Sequence, residues 1–202
     1  MTRILIYTAT GQKNLGDELI LLSEYIELRR QYPEAHITIA TYDREDSLIP
    51  KDSLVSHISY FPSHLRSKPF QNIRAFFQNI QSIFQADLVI IGGGGLFYDS
   101  ESGQSFRKLA WQWALRIGLA QFFRKKIWYW GISLDLSPTH LQSIAWFFRY
   151  VRATVTVRDT YSQGLLTSIG VRNEKIADSV FLLESEKSKS VDPPRVGLAL
   201  RA

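Results

Sequence analysis

Residues 87–99 read DLVIIGGGGLFYD, and no other stretch constrains the fold as tightly. Leu88, Val89, Ile90 and Ile91 make a short apolar run, rich in β-branched side chains and without polar alternation. That is the pattern of a strand buried on both faces of a parallel sheet. Gly92, Gly93, Gly94 and Gly95 follow without a break. Glycine has no Cβ and reaches positive φ, so a ligand or a second backbone can approach the main chain closely there. In open α/β sheets ligands bind just past the carboxyl ends of strands, and the glycine run is expected at such an end. A tight packing turn is the plainer reading. One glycine is enough for a turn, however, and each further one costs roughly 1 kcal/mol of ordering.

Elsewhere, β-type apolar runs alternate with helical periodicity. Further strands are expected at residues 3–8, 36–41, 54–60, 126–130, 153–157 and 175–177, with Gly131 ending the one at 126–130. Helices are expected at 18–30, 70–84, 105–123, 137–150 and 160–168. Pro33 stops the first, Ser137 and Pro138 open the fourth as N-cap and first-turn residues, and Gly170 closes the fifth. Ile73, Phe76, Phe77, Ile80 and Phe84 share one side of the second helix, and the third reads as buried. Residues 42–52 and 62–69 are polar connections. Strands alternating with helices predict an α/β fold, a doubly wound, Rossmann-like parallel sheet. Composition changes abruptly at residues 184–194, ESEKSKSVDPP, which look like a linker. The run at 195–201, RVGLALR, then begins a fresh strand. That strand either adds to the edge of the sheet or, the favoured reading, opens a second lobe, so the expected division is a lobe at 1–183, a linker at 184–194 and, at 195–202, the first strand of a truncated second lobe.

The 202 residues suffice for one well-buried domain. The absence of cysteine excludes disulfides and thiolate metal sites and permits a reducing cytoplasm. Four scattered histidines offer no metal spacing, and no apolar stretch has the length of a membrane span. The formal charge of +5 suits an acidic ligand or an anionic surface. Its cations are scattered apart from Arg124, Lys125 and Lys126, and no nucleic-acid motif accompanies them. Trp111, Trp113, Trp146, Phe147 and Phe148, with Arg149 and Arg152, allow a membrane-facing patch, although core packing is the favoured reading.

Three further groups fall at expected strand ends. Asn14, Gly16 and Asp17 precede the first helix, where backbone N–H groups attract a phosphate or carboxylate. Simple capping, with Asn14 as the cap and Asp17 returning the bond, accounts for them equally well. Gly131 and Ser133 follow another strand, and Arg158 and Asp159 a third. Asp159 and Thr160 suit helix capping, which does not account for Arg158. That guanidinium has the planar fork that matches phosphate or carboxylate. The glycine run itself is neither a dinucleotide fingerprint nor a P-loop, because it lacks both the required position and a Gly-Lys-Ser/Thr.

These groups in this order resemble the polysaccharide pyruvyl transferase family. The matching residues are the stretch Asn14, Leu15, Gly16, Asp17 and Glu18, then the four glycines, Gly131, and Val157, Arg158 and Asp159 with Ser162. Gly170 and Val171, and Asp178 with Val180 and Phe181, complete the set. The chain departs from the family pattern at Ser133 and Leu134, where glycine and proline are usual, and at Ser179, where proline is usual. The resemblance implies the N-terminal lobe of a two-domain enzyme of the GT-B type. It implies transfer of pyruvate from phosphoenolpyruvate, as a ketal, to a saccharide or lipid-linked saccharide of a cell-surface polysaccharide. No cofactor is expected besides that donor, and the expected place is the cytoplasm, at the inner face of the membrane. On this reading Arg158 and Asp17 are catalytic, either Asp17 or Asp99 orients an acceptor hydroxyl, and the glycine loop admits the sugar. Asn14, Gly16, Gly131, Ser133 and Asp159 complete the substrate contacts. No histidine matches a family motif for the general acid. A nucleotide-sugar-binding glycosyltransferase lobe and a non-catalytic binding module are the alternatives.

Overall fold

β1, Arg3–Tyr7, and β4, Leu88–Ile91, lie side by side in parallel, with Ile4 opposite Leu88 and Tyr7 opposite Ile91. Both are buried on both faces, as their lack of polar alternation predicts. The computed structural model describes residues 1–8, 10–11, 14–42, 48–61, 69–99, 106–150 and 152–183. The connection at 62–68, the expected linker at 184–194 and the expected strand at 195–202 lie outside these.

From β1 the chain runs outward through α1, Leu15–Gln31, to β2, His36–Thr41, and β3, Val55–Ser59. It then returns through α2, Pro69–Gln85, to β4 and continues to β5, Gly94–Tyr98. The order continues with α3, Phe106–Phe122, β6, Lys126–Asp135, α4, Pro138–Phe148, and β7, Ala153–Val157. α5, Thr160–Ser168, β8, Glu174–Lys175, and a 3-10 turn at Ser179–Leu182 follow. Among the described residues, eight strands form one sheet of order β3-β2-β1-β4-β6-β7-β8, with β5 also on β6, and every pairing is parallel. The chain reverses its direction of travel across the sheet between β1 and β4, which makes their carboxyl ends the topological switch point. The expected α/β, doubly wound, Rossmann-like sheet is what the chain forms.

Right-handed crossovers decide which face each helix covers. α1 packs Leu21, Tyr25 and Leu28 on Ile4 and Ile6. The opposite face, with Leu5 and Tyr7, takes Ile83 of α2, Ile117 of α3, Ile144 of α4 and Leu166 of α5.

Two expectations about the glycines need correction. Gly131 does not end its strand: β6 continues to Asp135. Gly131 instead takes φ 58° inside it and donates its N–H to Thr156 Oγ1 at 2.9 Å, while the register against β7 shifts between Tyr129 and Ile132. It is a bulge, where only glycine adopts the left-handed backbone without strain. Nor does the chain leave the sheet at the glycine run. β5 pairs with the second half of β6, Gly94 opposite Ile132 and Tyr98 opposite Asp135. β4 and β5 therefore share one lane beside β6, and Gly92 and Gly93 are the break within it.

At the far end of this lane Asp99 accepts from the Ser137 N–H at 2.8 Å and meets His140 Nδ1 at 2.6 Å. Ser137 stands at the N-cap of α4, but its hydroxyl makes no capping bond, so the cap is supplied by Asp99. α4 ends at Phe148 rather than near residue 150. The third helix is only half what its sequence suggested: Trp113 and Ile117 are buried, whereas Trp111 and Phe122 face outward.

Candidate functional site

The carboxyl end of β1 leads through Thr8, Thr10 and Gly11 into α1, whose first turn presents Asp17 and Glu18. Asn14 Oδ1 accepts from the Gly16 N–H at 3.1 Å, and Asn14 Nδ2 donates to Asp17 Oδ2 at 2.8 Å. Asn14 caps the helix as expected, but Asp17 accepts from the Asn14 side chain rather than from its backbone N–H. Glu18 Oε1 accepts from the Gly11 N–H at 2.7 Å and holds the incoming loop.

Two turns further along α1, Glu24 is fully buried, and its Oε1 accepts from the Gly93 N–H at 2.7 Å. Burial pushes its carboxyl up to about 8; the Gly93 hydrogen bond opposes the rise, and the charge of Asp178 adds to it. Glu24 is therefore neutral at pH 7 and joins α1 to the break between β4 and β5. This explains Gly92 and Gly93: a Cβ on Gly92 would lie 2.7 Å from Glu24 Oε2 and 3.0 Å from Thr8 Cβ. One on Gly93 would meet Ile20 Cγ2 at 3.0 Å and the Trp130 carbonyl oxygen at 3.3 Å. The close approach foreseen for the glycines is made by the chain's own helix. Gly94, at φ 103°, faces Asp17, while Gly95 is exposed with no heavy atom nearer its Cβ position than 3.9 Å. Gly92→Ala is accordingly expected to cost about 1–3 kcal/mol by overpacking. Gly95→Ala should change stability by less than about 0.5 kcal/mol. Thermal melts of the two variants read the difference, and equal melts would contradict the packing of Glu24 over Gly92.

Arg158 follows β7 and comes to the same edge, where Arg158 Nη1 donates to Asp178 Oδ2 at 2.7 Å. Its charge also acts on Asp17, whose carboxyl is raised by burial against the opposing effects of Asn14 and Arg158. Asp178 and Asp17 thus stand by the Arg158 guanidinium, while a second guanidinium at this edge, Arg116, lies over the Tyr7 and Tyr60 rings and donates to the Phe61 carbonyl. The unbonded polar atoms are here too: Thr8 Oγ1, Thr10 Oγ1, Glu18 Oε2 and Glu24 Oε2 are buried without a hydrogen-bond partner. Buried polar atoms left in this state are matched when a ligand or water brings hydroxyls to them.

The remaining expected residues are engaged in bonds of their own. Ser133 donates to Asp159 Oδ2 at 2.6 Å, and Asp159 caps α5 by accepting from the Ser162 N–H at 2.7 Å. Burial alone would raise Asp159, but the bonds from Ser133 and Ser162 outweigh it and hold the carboxyl low. Asp99, just past the end of β5, stands with His140 instead. Burial likewise pushes Asp99 up, and the hydrogen bonds from His140 and Ser137 more than offset this.

The family model for polysaccharide pyruvyl transferases matches residues 14–201. The chain belongs to that family. No curated protein matches it closely enough to add to this. The matched span takes in every residue named at the edge described above except Thr8, Thr10 and Gly11. A cavity of about 400 Å³ lined by Arg3, His36, Thr38 and Gln85 lies at the opposite, amino edge of the sheet, away from these residues. Among the described residues no three His, Asp or Glu are grouped to hold a metal.

Sequence reasoning missed Glu24 and passed over the pairing of His140. Glu24 sits at a core position of α1, facing the sheet beside Leu21 and Leu28, and a carboxylate there was the signal that something across the sheet must meet it. His140, three residues into a helix whose cap is supplied from β5, carried no such signal.

Proposed function

We propose that the described lobe holds the saccharide acceptor in a pyruvyl transfer from phosphoenolpyruvate that forms a ketal. One observation carries this: Arg158 is already paired with Asp178, and the carboxylates of Asp17 and Glu18 stand in the first turn of α1 beside it. Such a surface repels a phosphate ester and suits sugar hydroxyls, which donate to carboxylates. The donor then enters from the lobe expected beyond residue 194, so that the reaction takes place in a cleft of the GT-B kind. Ketal formation protonates the enol carbon of phosphoenolpyruvate, adds two acceptor hydroxyls to the neighbouring carbon and releases phosphate. Both hydroxyls lose a proton. Asp17, raised by burial, is placed to receive one of them, and Arg158 offsets the negative charge that gathers beside it. The cytoplasmic face of the membrane is the proposed place, where saccharides of cell-surface polymers are assembled.

The test is phosphate release from phosphoenolpyruvate with a panel of hexosides carrying neighbouring free hydroxyls, measured on the gene's full product. Asp17→Asn is expected to lower kcat by about 10²–10⁴-fold, the usual contribution of a positioned base. Unchanged turnover in that variant would remove Asp17 from the reaction. A thermal shift of the 202-residue chain with phosphoenolpyruvate but with no hexoside would reverse the assignment of the lobe to the acceptor.

A further inference from the structure

α2 is strongly amphipathic, but its apolar stripe faces away from the sheet. Phe70, Ile73, Phe77 and Phe84 are 85%, 54%, 64% and 62% exposed. Their spacing of three, four and seven residues is that of one continuous helical stripe, about 21 Å long at 1.5 Å per residue. The side packed on the sheet carries Asn72, Ala75, Asn79 and Ile83. Asn79 is committed there, accepting from the Tyr7 hydroxyl at 2.8 Å and donating to the Ser59 carbonyl at 2.9 Å. The helix cannot simply roll over to hide the stripe without abandoning those bonds.

The stripe continues onto its neighbours. Phe84 meets Phe123 at 5.5 Å between ring centroids, and Phe123 meets Phe122, itself 78% exposed, at 5.2 Å. Trp111 on α3 and Trp146 on α4 are about half exposed, and Gln121 of α3 bonds the Trp146 carbonyl. The charge carried by these three helices has one sign. None of α2, α3 and α4 contains aspartate or glutamate, whereas Arg74, Arg107 and Lys108 are exposed on them, with Arg124 and Lys125 just after α3. Lys125 Nζ lies 5.5 Å from the Phe84 ring centroid, so cation and aromatic stand together.

We propose that the outer face of α2, α3 and α4 docks on an anionic lipid bilayer. Exposed phenylalanine and tryptophan interleaved with lysine and arginine, free of acids, is the chemistry of a helix face lying in the headgroup region. A second copy of the chain is a poorer occupant, because a two-fold interface would set these cations against themselves. No helix among the described residues is long and apolar enough to cross a membrane, so the contact is peripheral. The inference does not depend on the acceptor reading above.

Co-sedimentation with vesicles tests it, comparing phosphatidylcholine alone with an equimolar mixture of phosphatidylcholine and phosphatidylglycerol, at low and high salt. The 202-residue chain is expected to partition at least about tenfold more strongly onto the anionic vesicles at low salt, and to lose that preference at high salt. F77S/F84S, altered only at exposed positions, should lower the partition about tenfold, and R107E/K108E should lower it on anionic vesicles alone. Equal partition of the wild type and both double variants would overturn the proposal. So would failure to bind anionic vesicles, or a dimer in sedimentation equilibrium that F77S/F84S converts to monomer.

Discussion

Glu24→Gln is expected to abolish most of the fall in stability that the wild-type chain shows between pH 5.5 and 7.5. The carboxyl titrates near 4.5 when unfolded and is pushed up to about 8 in the fold, chiefly by burial. Between those values the folded chain keeps a proton that the unfolded chain has lost, so protonation stabilises the fold. That stabilisation is complete below pH 4.5 and is lost as pH rises through 8, at up to about 1.4 kcal/mol per pH unit. Over the two units measured, the wild type should therefore lose about 2 kcal/mol from this group. Glutamine keeps an acceptor for the Gly93 N–H and carries an amide where the neutral acid carries its proton, so it should hold the pH 5.5 stability with little slope. Urea melts of both proteins at the two pH values give the answer. Other titrating groups contribute equally to the two chains and cancel in the difference. Parallel slopes would mean that Glu24 is ionised in the fold, the Gly93 hydrogen bond outweighing its burial.

Phe97→Ala should be among the most damaging single changes, costing about 3–5 kcal/mol. Phe97 is fully buried, with ring centroids of Phe147 at 5.6 Å, Trp113 at 6.1 Å and Phe148 at 6.1 Å around it. It belongs to β5, so its packing depends on the chain continuing along β6 after the glycines. Phe122→Ala, at a residue 78% exposed, makes the control and should stay within about 0.5 kcal/mol. Chemical denaturation resolves a difference of that size easily. A cost below about 1 kcal/mol at Phe97 would show that residues 94–98 form an open loop past the end of β4.

The architecture was legible in the sequence because its signals are local. The unbroken apolar run at 88–91 requires cover on both faces, and helical stretches between such runs leave only parallel crossovers. Pro33, Gly170 and the Asn14 to Asp17 segment act through their own backbone or a neighbour a few residues away, and each stands near its expected helix end. The ordered motifs likewise carried the family resemblance that the match over residues 14–201 establishes. Strand continuation past Gly131 and Gly93 was not legible. A glycine that breaks a strand and one that bulges it look alike until the partner strand is in place.

The sequence by itself determined the alternation, the parallel sheet and the family, since these follow from periodicity and from residues within one turn or strand of each other. Only the tertiary structure decided what the site's charges do. Arg158 meets Asp178 across 20 residues and Glu24 meets Gly93 across 69, and burial rather than residue type makes Glu24 neutral. It also decided that the apolar stripe of α2 faces outward. A hydrophobic period states that one side of a helix differs from the other; which side meets the sheet depends on the bonds Asn79 finds there.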